Sequence, residues 1–308
     1  MSDVKLKRRK NIYYKESVWI HVLLIITVII VCFPILFAFI KSTQSTAEVL
    51  SPMMHPGTSF FHNIKRALID YKLGLYMKNS LIISVAVTAG KIVLSFMAAF
   101  ALVFFKFRGK EILFAFIIIT LMLPTEALIL GLFDLVANHP AQNIGDFLKW
   151  ILNPTELLFQ PIKYGFGWSQ NYLAIIAPFM ASATGVFLFR QHFSSIPRLM
   201  VDSAIIDGAG PLIFIFHILI PMSKNTIGAL ALIQFIYVWN QYLWPRVIVR
   251  YDVNQVVQVG LNKIIATGDA VYWGEVMAAT VIALVPPLIV FGLLYNSFMK
   301  GYALSSNK

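Results

Sequence analysis

Charged residues and cysteine are scarce in this sequence. Only 13% of the 308 residues are charged, whereas 58% are apolar, and an average soluble domain is about 25% charged. The single cysteine, Cys32, excludes an intramolecular disulfide and a zinc site built on several cysteines. The six histidines lack the His-x-x-x-His spacing of a zinc protein. The composition therefore predicts an integral membrane protein without a metal site.

Motifs for catalysis and nucleotide binding are also missing. No Gly-x4-Gly-Lys-Ser/Thr phosphate-binding loop occurs, since Gly90 and Lys91 are followed by Ile92. No Gly-x-Ser-x-Gly nucleophile motif is found either. We therefore expect no enzyme activity, no catalytic residue and no cofactor bound by this chain. If ATP drives the protein, a separate subunit must hydrolyse it.

Six apolar stretches are long enough to cross a bilayer, which needs about 20 residues per helix. They cover residues 18–40, 80–105, 112–133, 172–189, 218–243 and 273–298. Five of them contain proline, which membrane helices tolerate as a kink: Pro34, Pro124, Pro178, Pro221 and the pair Pro286 and Pro287. The predicted fold class is an all-α polytopic membrane protein with six transmembrane helices.

Basic residues predict the orientation and the domain limits. They cluster before the first span and in the short link between the second and third spans: Lys5, Lys7, Arg8, Arg9, Lys10, Lys106, Arg108 and Lys110. Short basic flanks stay cytoplasmic and meet anionic lipid, so both termini should be cytoplasmic. We expect a tail at 1–17, one transmembrane domain at 18–298 and a second tail at 299–308. With no soluble basic domain, nucleic-acid binding is not expected.

The segment 201–222, "VDSAIIDGAGPLIFIFHILIPM", lies between the fourth and fifth spans on the predicted cytoplasmic side. We expect a short helix from Asp202 to Ile206, with an acid near its N-terminus where the helix dipole favours it. Gly208 should end this helix. Pro211 should begin a second helix, and Pro221 should interrupt the apolar run that follows.

This segment resembles the EAA motif of permease subunits in bacterial ABC importers. The motif is Glu-Ala-Ala-x3-Gly-x9-Ile-x-Leu-Pro, and the spacing matches throughout, with Asp, Ser and Ile as replacements. In that family the first short helix is the coupling helix, which docks in a cytosolic ATPase subunit. The resemblance implies a coupling site formed by Asp202, Ser203, Ala204, Ile205, Ile206, Asp207, Gly208, Ile218 and Pro221.

Other stretches resemble the carbohydrate-uptake branch of that family, to which the maltose permeases belong. "SLIISVAVTAGKIVLSFMAAFALVFFKF", "ITLMLPTEA", "FIYVWNQYLWP" and "IATGD" are most similar to membrane subunits of sn-glycerol-3-phosphate importers. Residues 138–168 form an outward insertion relative to that pattern. The resemblance implies a homologous sister permease, two cytosolic ATPase subunits that bind ATP and Mg²⁺, and an extracytoplasmic solute-binding protein. It also implies a multi-pass protein of the bacterial inner membrane that works by alternating access.

Four polar residues are candidates for the substrate pathway. Lys91 and Glu126 lie within predicted spans, where an isolated charge costs at least ~2.5–3.5 kcal/mol. They form either a structural pair or plug between helices, or a site where Lys91 attracts an anionic phosphate ester. Asn240 and Gln241 bring amides to the aromatic-rich end of the fifth span, which suits a hydroxyl-bearing ligand. Their alternative role is polar contact between helices within an interfacial aromatic belt.

Two alternative functions remain at this point. A permease of the same family could carry a neutral sugar or polyol. An ion-coupled secondary transporter would use ionisable relays near the bilayer midplane and often inverted repeats. Only Lys91 and Glu126 could serve as such relays, and no internal repeat is evident.

Overall fold

The computed structural model describes residues 2–52, 54–124, 128–138, 140, 146, 148–149, 152–153, 163–266 and 271–306. Within these ranges all regular structure is helical, which confirms the all-α prediction. We number the helices α1 Ser2–Ser42, α2 Thr46–Val49, α3 Phe60–Lys65, α4 Leu73–Phe104, α5 Lys110–Thr120, α6 Ile129–Ala137, α7 Tyr172–Ile176, α8 Ala183–Ser194, α9 Arg198–Ile206, α10 Pro211–Trp239, α11 Leu243–Ile248, α12 Val257–Ala266 and α13 Trp273–Ser306.

Four helices of the described residues are long and apolar enough to cross a membrane. These segments are Val18–Ser42, Leu73–Phe104, Pro211–Trp239 and Trp273–Gly301. A fifth span results if Tyr172–Phe179 and Ala183–Ser194, which meet at 41°, are counted together. The bend follows Pro178, and the new helix is capped by Ser182, whose Oγ accepts a 3.1 Å hydrogen bond from the Gly185 amide.

The third predicted span, residues 112–133, is not one helix. α5 ends at Thr120 and α6 begins at Ile129, and residues 125–127 between them lie outside the described residues. Pro124 disfavours a helical conformation at the residue before it. The break between the two helices therefore contains a proline that the sequence already shows. The 11 residues of α5 extend only about 16 Å, so α5 alone does not cross the hydrocarbon core. The count of six spans stays a prediction.

The chain divides into two compact units, Met1–Tyr71 with Ile264–Ala283 and Lys72–Lys263 with Leu284–Lys308. The first unit contains a buried ion pair, in which Arg66 Nη1 lies 2.7 Å from Glu275 Oε1. The Glu275 side chain is 4% exposed, and the Tyr272 ring lies 5.3 Å from the Arg66 guanidinium. Charge pairing in this unit thus compensates the burial of a carboxylate.

The second unit has two apolar clusters. One is aromatic and gathers α4, α8, α9 and α10 around Phe96, whose ring centroid lies 5.3 Å from Phe189 and 5.0 Å from Phe193. The close approach of α8 to α4 requires a glycine, because a Cβ at Gly185 would collide with the Ser95 side chain. The other cluster joins α4 to α6, α7, α11 and α12. Together these clusters hold residues 201–222 and the polar pathway residues, both described below, in position.

Asn79 of α4 forms hydrogen bonds to the segment that follows α11. Its side chain is 1% exposed. Nδ2 donates hydrogen bonds to the carbonyls of Val253 at 2.7 Å and Gln255 at 2.9 Å, while Oδ1 accepts one from the Tyr172 hydroxyl at 2.7 Å. This buried amide therefore satisfies three polar groups and holds the 249–257 turn against α4.

Candidate functional site

The motif segment (residues 201–222) begins inside α9 rather than at its start. α9 runs from Arg198 to Ile206 after Pro197, so Asp202 is its fifth residue. All of α9 is described, and its first turn contains no acid. The expectation that Asp202 lies near the N-terminus was therefore wrong. The start is set by Pro197, which lacks an amide hydrogen and disfavours helix at the residue before it.

Gly208 ends α9 as predicted, through a Schellman motif. The residue has φ +78°. Its amide donates a 3.0 Å hydrogen bond to the Ile205 carbonyl, and the Ala209 amide donates a 2.9 Å bond to the Ala204 carbonyl. These are the two bonds of that cap, and they satisfy carbonyls that the helix end leaves free. Glycine tolerates the left-handed conformation that the cap requires.

Ala204 anchors α9, while most of the motif faces outward. Ala204 is 5% exposed and packs in the aromatic cluster. Ile205 and Ile206 are 65% and 84% exposed. Asp202, Ser203, Asp207 and Gly208 are also exposed. Ala204, together with the half-buried Val201, thus holds α9 on the core, and the large apolar side chains of Ile205 and Ile206 remain available to a partner.

The second half of the motif does not break the helix. α10 begins with Pro211, as predicted, and passes through a π-helical turn at Phe214–Leu219 before Pro221. Proline lacks the amide hydrogen and clashes with the carbonyl four residues earlier. The π-helical turn at Phe214–Leu219 contains that carbonyl, and local π turns are one way in which membrane helices accommodate proline. Ile218, half-buried, packs against the aromatic cluster, so the motif also stabilises the entry of α10.

Lys91 lies in the middle of α4 and is 6% exposed. Its Nζ donates a 2.6 Å hydrogen bond to Gln234 Oε1 and lies 4.8 Å from the centre of the Tyr237 ring. Both partners belong to α10. An amide acceptor and an aromatic face thus compensate the buried ammonium. Glu126, the other ionisable pathway candidate, lies outside the described residues.

Tyr237, Asn240 and Gln241 line a cavity of about 450 Å³, together with Phe179, which follows α7, and Trp244 of α11. Asn240 Oδ1 accepts a 3.1 Å hydrogen bond from Gln258 Nε2. Trp244, which also lines the cavity, is fixed by a 3.0 Å bond from its indole to the Ala174 carbonyl. The volume and the mixture of apolar and amide groups are typical of small-ligand sites.

The structure brings three of the four pathway candidates to one region. Tyr237 links them, because it covers Lys91 and lines the cavity with Asn240 and Gln241. Sequence reasoning missed Gln234 and Tyr237 as partners of Lys91. Their spacing of three residues places them on one helix face, and a glutamine within an apolar span was the available signal.

Comparison with known proteins decides the family. Residues 91–303 match the family described as "Binding-protein-dependent transport system inner membrane component". The chain belongs to this family. The resemblance to permease subunits of ABC importers is therefore confirmed, and the protein is a multi-pass inner-membrane permease.

Curated relatives cover most of this permease. The sn-glycerol-3-phosphate transport system permease protein UgpE of Rhizobium meliloti (strain 1021) is 37% identical over 291 residues, with 91% of this chain and 94% of the relative covered. The protein of that name from Salmonella choleraesuis (strain SC-B67) is 36% identical over 295 residues, with 92% and 95% covered. These proteins are named as transport permeases and not as enzymes.

Solved structures support the fold. A chain in the crystal structure of a bacterial ABC transporter involved in the import of the acidic polysaccharide alginate matches with a TM-score of 0.71 and 23% identity, covering 92% of this permease and 96% of that chain. A chain from a bacterial alginate ABC transporter in complex with an alginate pentasaccharide-bound periplasmic protein matches with a TM-score of 0.57 and 15% identity, covering 90% and 92%.

Proposed function

We propose that this permease is a translocation subunit of an ATP-driven importer for sn-glycerol 3-phosphate or related glycerophosphodiesters. The observation that carries the proposal is its similarity to eight curated permeases, each named for sn-glycerol 3-phosphate transport. They are 34–37% identical and each match covers at least 91% of this chain. Matches of this extent include both the motif segment and the polar pathway residues.

The proposed topology has six spans and two cytoplasmic termini. The third span comprises α5, the segment after it and α6, and the fourth is the bent pair of α7 and α8. Breaks of this kind are tolerated in membranes where the irregular backbone is covered by protein or lines a cavity. The basic link at residues 106–110 and the basic residues before the first span support this orientation.

The coupling step is proposed at α9. Ile205 and Ile206 enter an apolar groove of a cytosolic ATPase subunit, while Asp202 and Asp207 make polar contacts at the edge of that groove. ATP and Mg²⁺ bind to the ATPase subunits, and this chain holds neither. ATP binding moves α9 and turns the cavity outward, where a solute-binding protein delivers the cargo. Hydrolysis returns the pathway to its inward-facing state, with a homologous sister permease completing the pathway wall.

Lys91 is the proposed contact for the cargo phosphate. An ammonium has three donors, and the hydrogen bond described for Lys91 uses one of them, toward Gln234. A rotation of Tyr237 away from Lys91 would open the ammonium to the adjoining cavity. There Asn240 and Gln241 would bond to the glycerol hydroxyls. The positive charge thus attracts an anionic ester, and the amides recognise its polyol part.

ATPase activity of the transporter, reconstituted in lipid with its solute-binding protein, tests the function. We expect stimulation by sn-glycerol 3-phosphate or glycerophosphodiesters and none by glycerol or maltose. Stimulation by maltose alone would assign a neutral sugar as cargo. Uptake that persists without ATP but requires a proton gradient would instead indicate a secondary transporter.

Lys91→Met tests the cargo contact separately. Loss of one charge-assisted hydrogen bond, about 1.5–3 kcal/mol, should raise the KM for sn-glycerol 3-phosphate roughly 10- to 150-fold. Lys224→Met is the matched control, because Lys224 is exposed on α10. Normal uptake by the Lys91 variant would remove Lys91 from the pathway and leave the importer assignment intact.

A further inference from the structure

A second charged site lies between the start of α5 and the end of α8, with residues different from those around Lys91. Arg190 Nη2 of α8 lies 2.8 Å from Glu111 Oε2 of α5. The Arg190 guanidinium also lies 3.9 Å from the centre of the Phe114 ring. The ion pair and the cation–π contact hold Arg190 in place between the two helices.

A cavity of about 290 Å³ opens beside this arginine. Its polar lining comes from the end of α8 and the residues after it, namely Arg190, Gln191, Ser194 and Ser195. Its apolar lining comes from Phe114 and Phe187. Phe114 lies three residues after Glu111, and Phe187 lies three residues before Arg190. Phe114 is therefore about 4.5 Å farther from the start of α5 than Glu111 is, and Phe187 is about 4.5 Å farther from the end of α8 than Arg190 is. The cavity therefore changes from polar to apolar along the helix direction.

The surrounding charge favours an anion. The link before α5 and its first residue carry three basic side chains, Lys106, Arg108 and Lys110, and Glu111 is the single acid there. Lys110 precedes Phe114 by four residues and so lies on the same face of α5. Arg190 has five N–H donors in a planar fork that suits phosphate. Its contact with Glu111 engages Nη2, which leaves donors directed elsewhere.

We infer that this cavity binds an anionic phospholipid, with the phosphate at Arg190 and Ser194 and the acyl chain on Phe114 and Phe187. A soluble anion would leave the apolar part of the cavity unfilled. A neutral lipid would leave the surrounding basic side chains without an anionic partner. Basic pockets between membrane helices are a known mode of lipid headgroup binding. The site is independent of the cargo proposed above, since it requires only that the chain lies in a membrane.

Binding of fluorescent phosphatidylglycerol to the full-length chain in detergent micelles tests this site, with phosphatidylcholine as the neutral control. One basic side chain near an anionic lipid contributes about 1 kcal/mol. Arg190→Gln should therefore bind phosphatidylglycerol about fivefold more weakly. Glu111→Gln removes the competing carboxylate and should bind it more tightly. Lys224 is an exposed basic residue of α10, so Lys224→Gln should bind phosphatidylglycerol as tightly as the unmodified chain does.

The two variants separate a lipid site from a purely structural ion pair. If the Arg190–Glu111 pair only joined the helices, both substitutions would leave lipid binding unchanged or lower it alike, and the inference would fail. Equal binding of phosphatidylglycerol and phosphatidylcholine would also overturn it. Displacement of the lipid by soluble sn-glycerol 3-phosphate at similar concentration would assign the cavity to the cargo instead.

Discussion

Replacing Ile206 with serine should weaken docking of the ATPase without unfolding the permease. Ile206 is 84% exposed, so the folded chain loses little when it is truncated. Burying an isoleucine fully stabilises an interface by about 1.5–3 kcal/mol. Because 84% of the side chain is free to enter a partner, the contribution to binding is about 1.3–2.5 kcal/mol, and its loss lowers the affinity roughly 9- to 70-fold.

The assay titrates the ATPase subunit against the purified permease in detergent and follows complex formation. Leu50→Ser is the matched control, because Leu50 is 71% exposed. It lies between the first and second predicted spans, which a cytoplasmic N-terminus places on the outward side of the membrane. The thermal stability of both variants should stay within about 0.5 kcal/mol of the unmodified chain. Unchanged affinity for Ile206→Ser would refute the docking of α9. An equal loss for Leu50→Ser would show that the effect is not specific to the motif.

Three further predictions concern stability and protonation. Gly208→Ala should destabilise the end of α9 by about 1–2 kcal/mol, because alanine resists the φ of +78°; faster hydrogen exchange at the α9 C-terminus would show it, and unchanged exchange would contradict the cap. Asn79→Ala removes three hydrogen bonds, of which the one to the Gln255 carbonyl is buried and the other two are part-buried, and should cost about 2–4 kcal/mol in denaturant unfolding. Tyr172→Phe removes only one of them and should cost about 1 kcal/mol; equal losses would contradict the network. Burial, followed by the nearby Glu275 carboxylate, raises the pKa of Tyr71 to about 12. A tyrosine in the unfolded chain ionises near pH 10. The stability that Tyr71 contributes is therefore complete below pH 10 and is lost as the pH rises to 12. Subtracting the ultraviolet phenolate titration of Tyr71→Phe from that of the unmodified chain should show Tyr71 ionising near pH 12, and ionisation near pH 10 would contradict the shift.

For Lys91, the sequence predicted that a compensating partner is needed but did not identify the partner. A lysine within an apolar span must meet a compensating group, and the sequence predicted a contact with protein, water or Glu126. The structure places Gln234 and Tyr237 there. Gln234 is 143 residues away in the chain, and local periodicity carries no information on which distant helix faces which.

The sequence by itself determined the membrane class, the family and the turn at Gly208. Composition is a sum over residues, motif spacing is local, and a left-handed cap depends on one residue type, so none of these needs a tertiary contact. Tertiary structure decided that Ala204 of α9 is buried in the aromatic cluster while Ile205 and Ile206 face outward, and which side chains surround Lys91 and Arg190. These features depend on packing between helices, where burial energies summed over many distant contacts outweigh the small local preferences that a sequence pattern reveals.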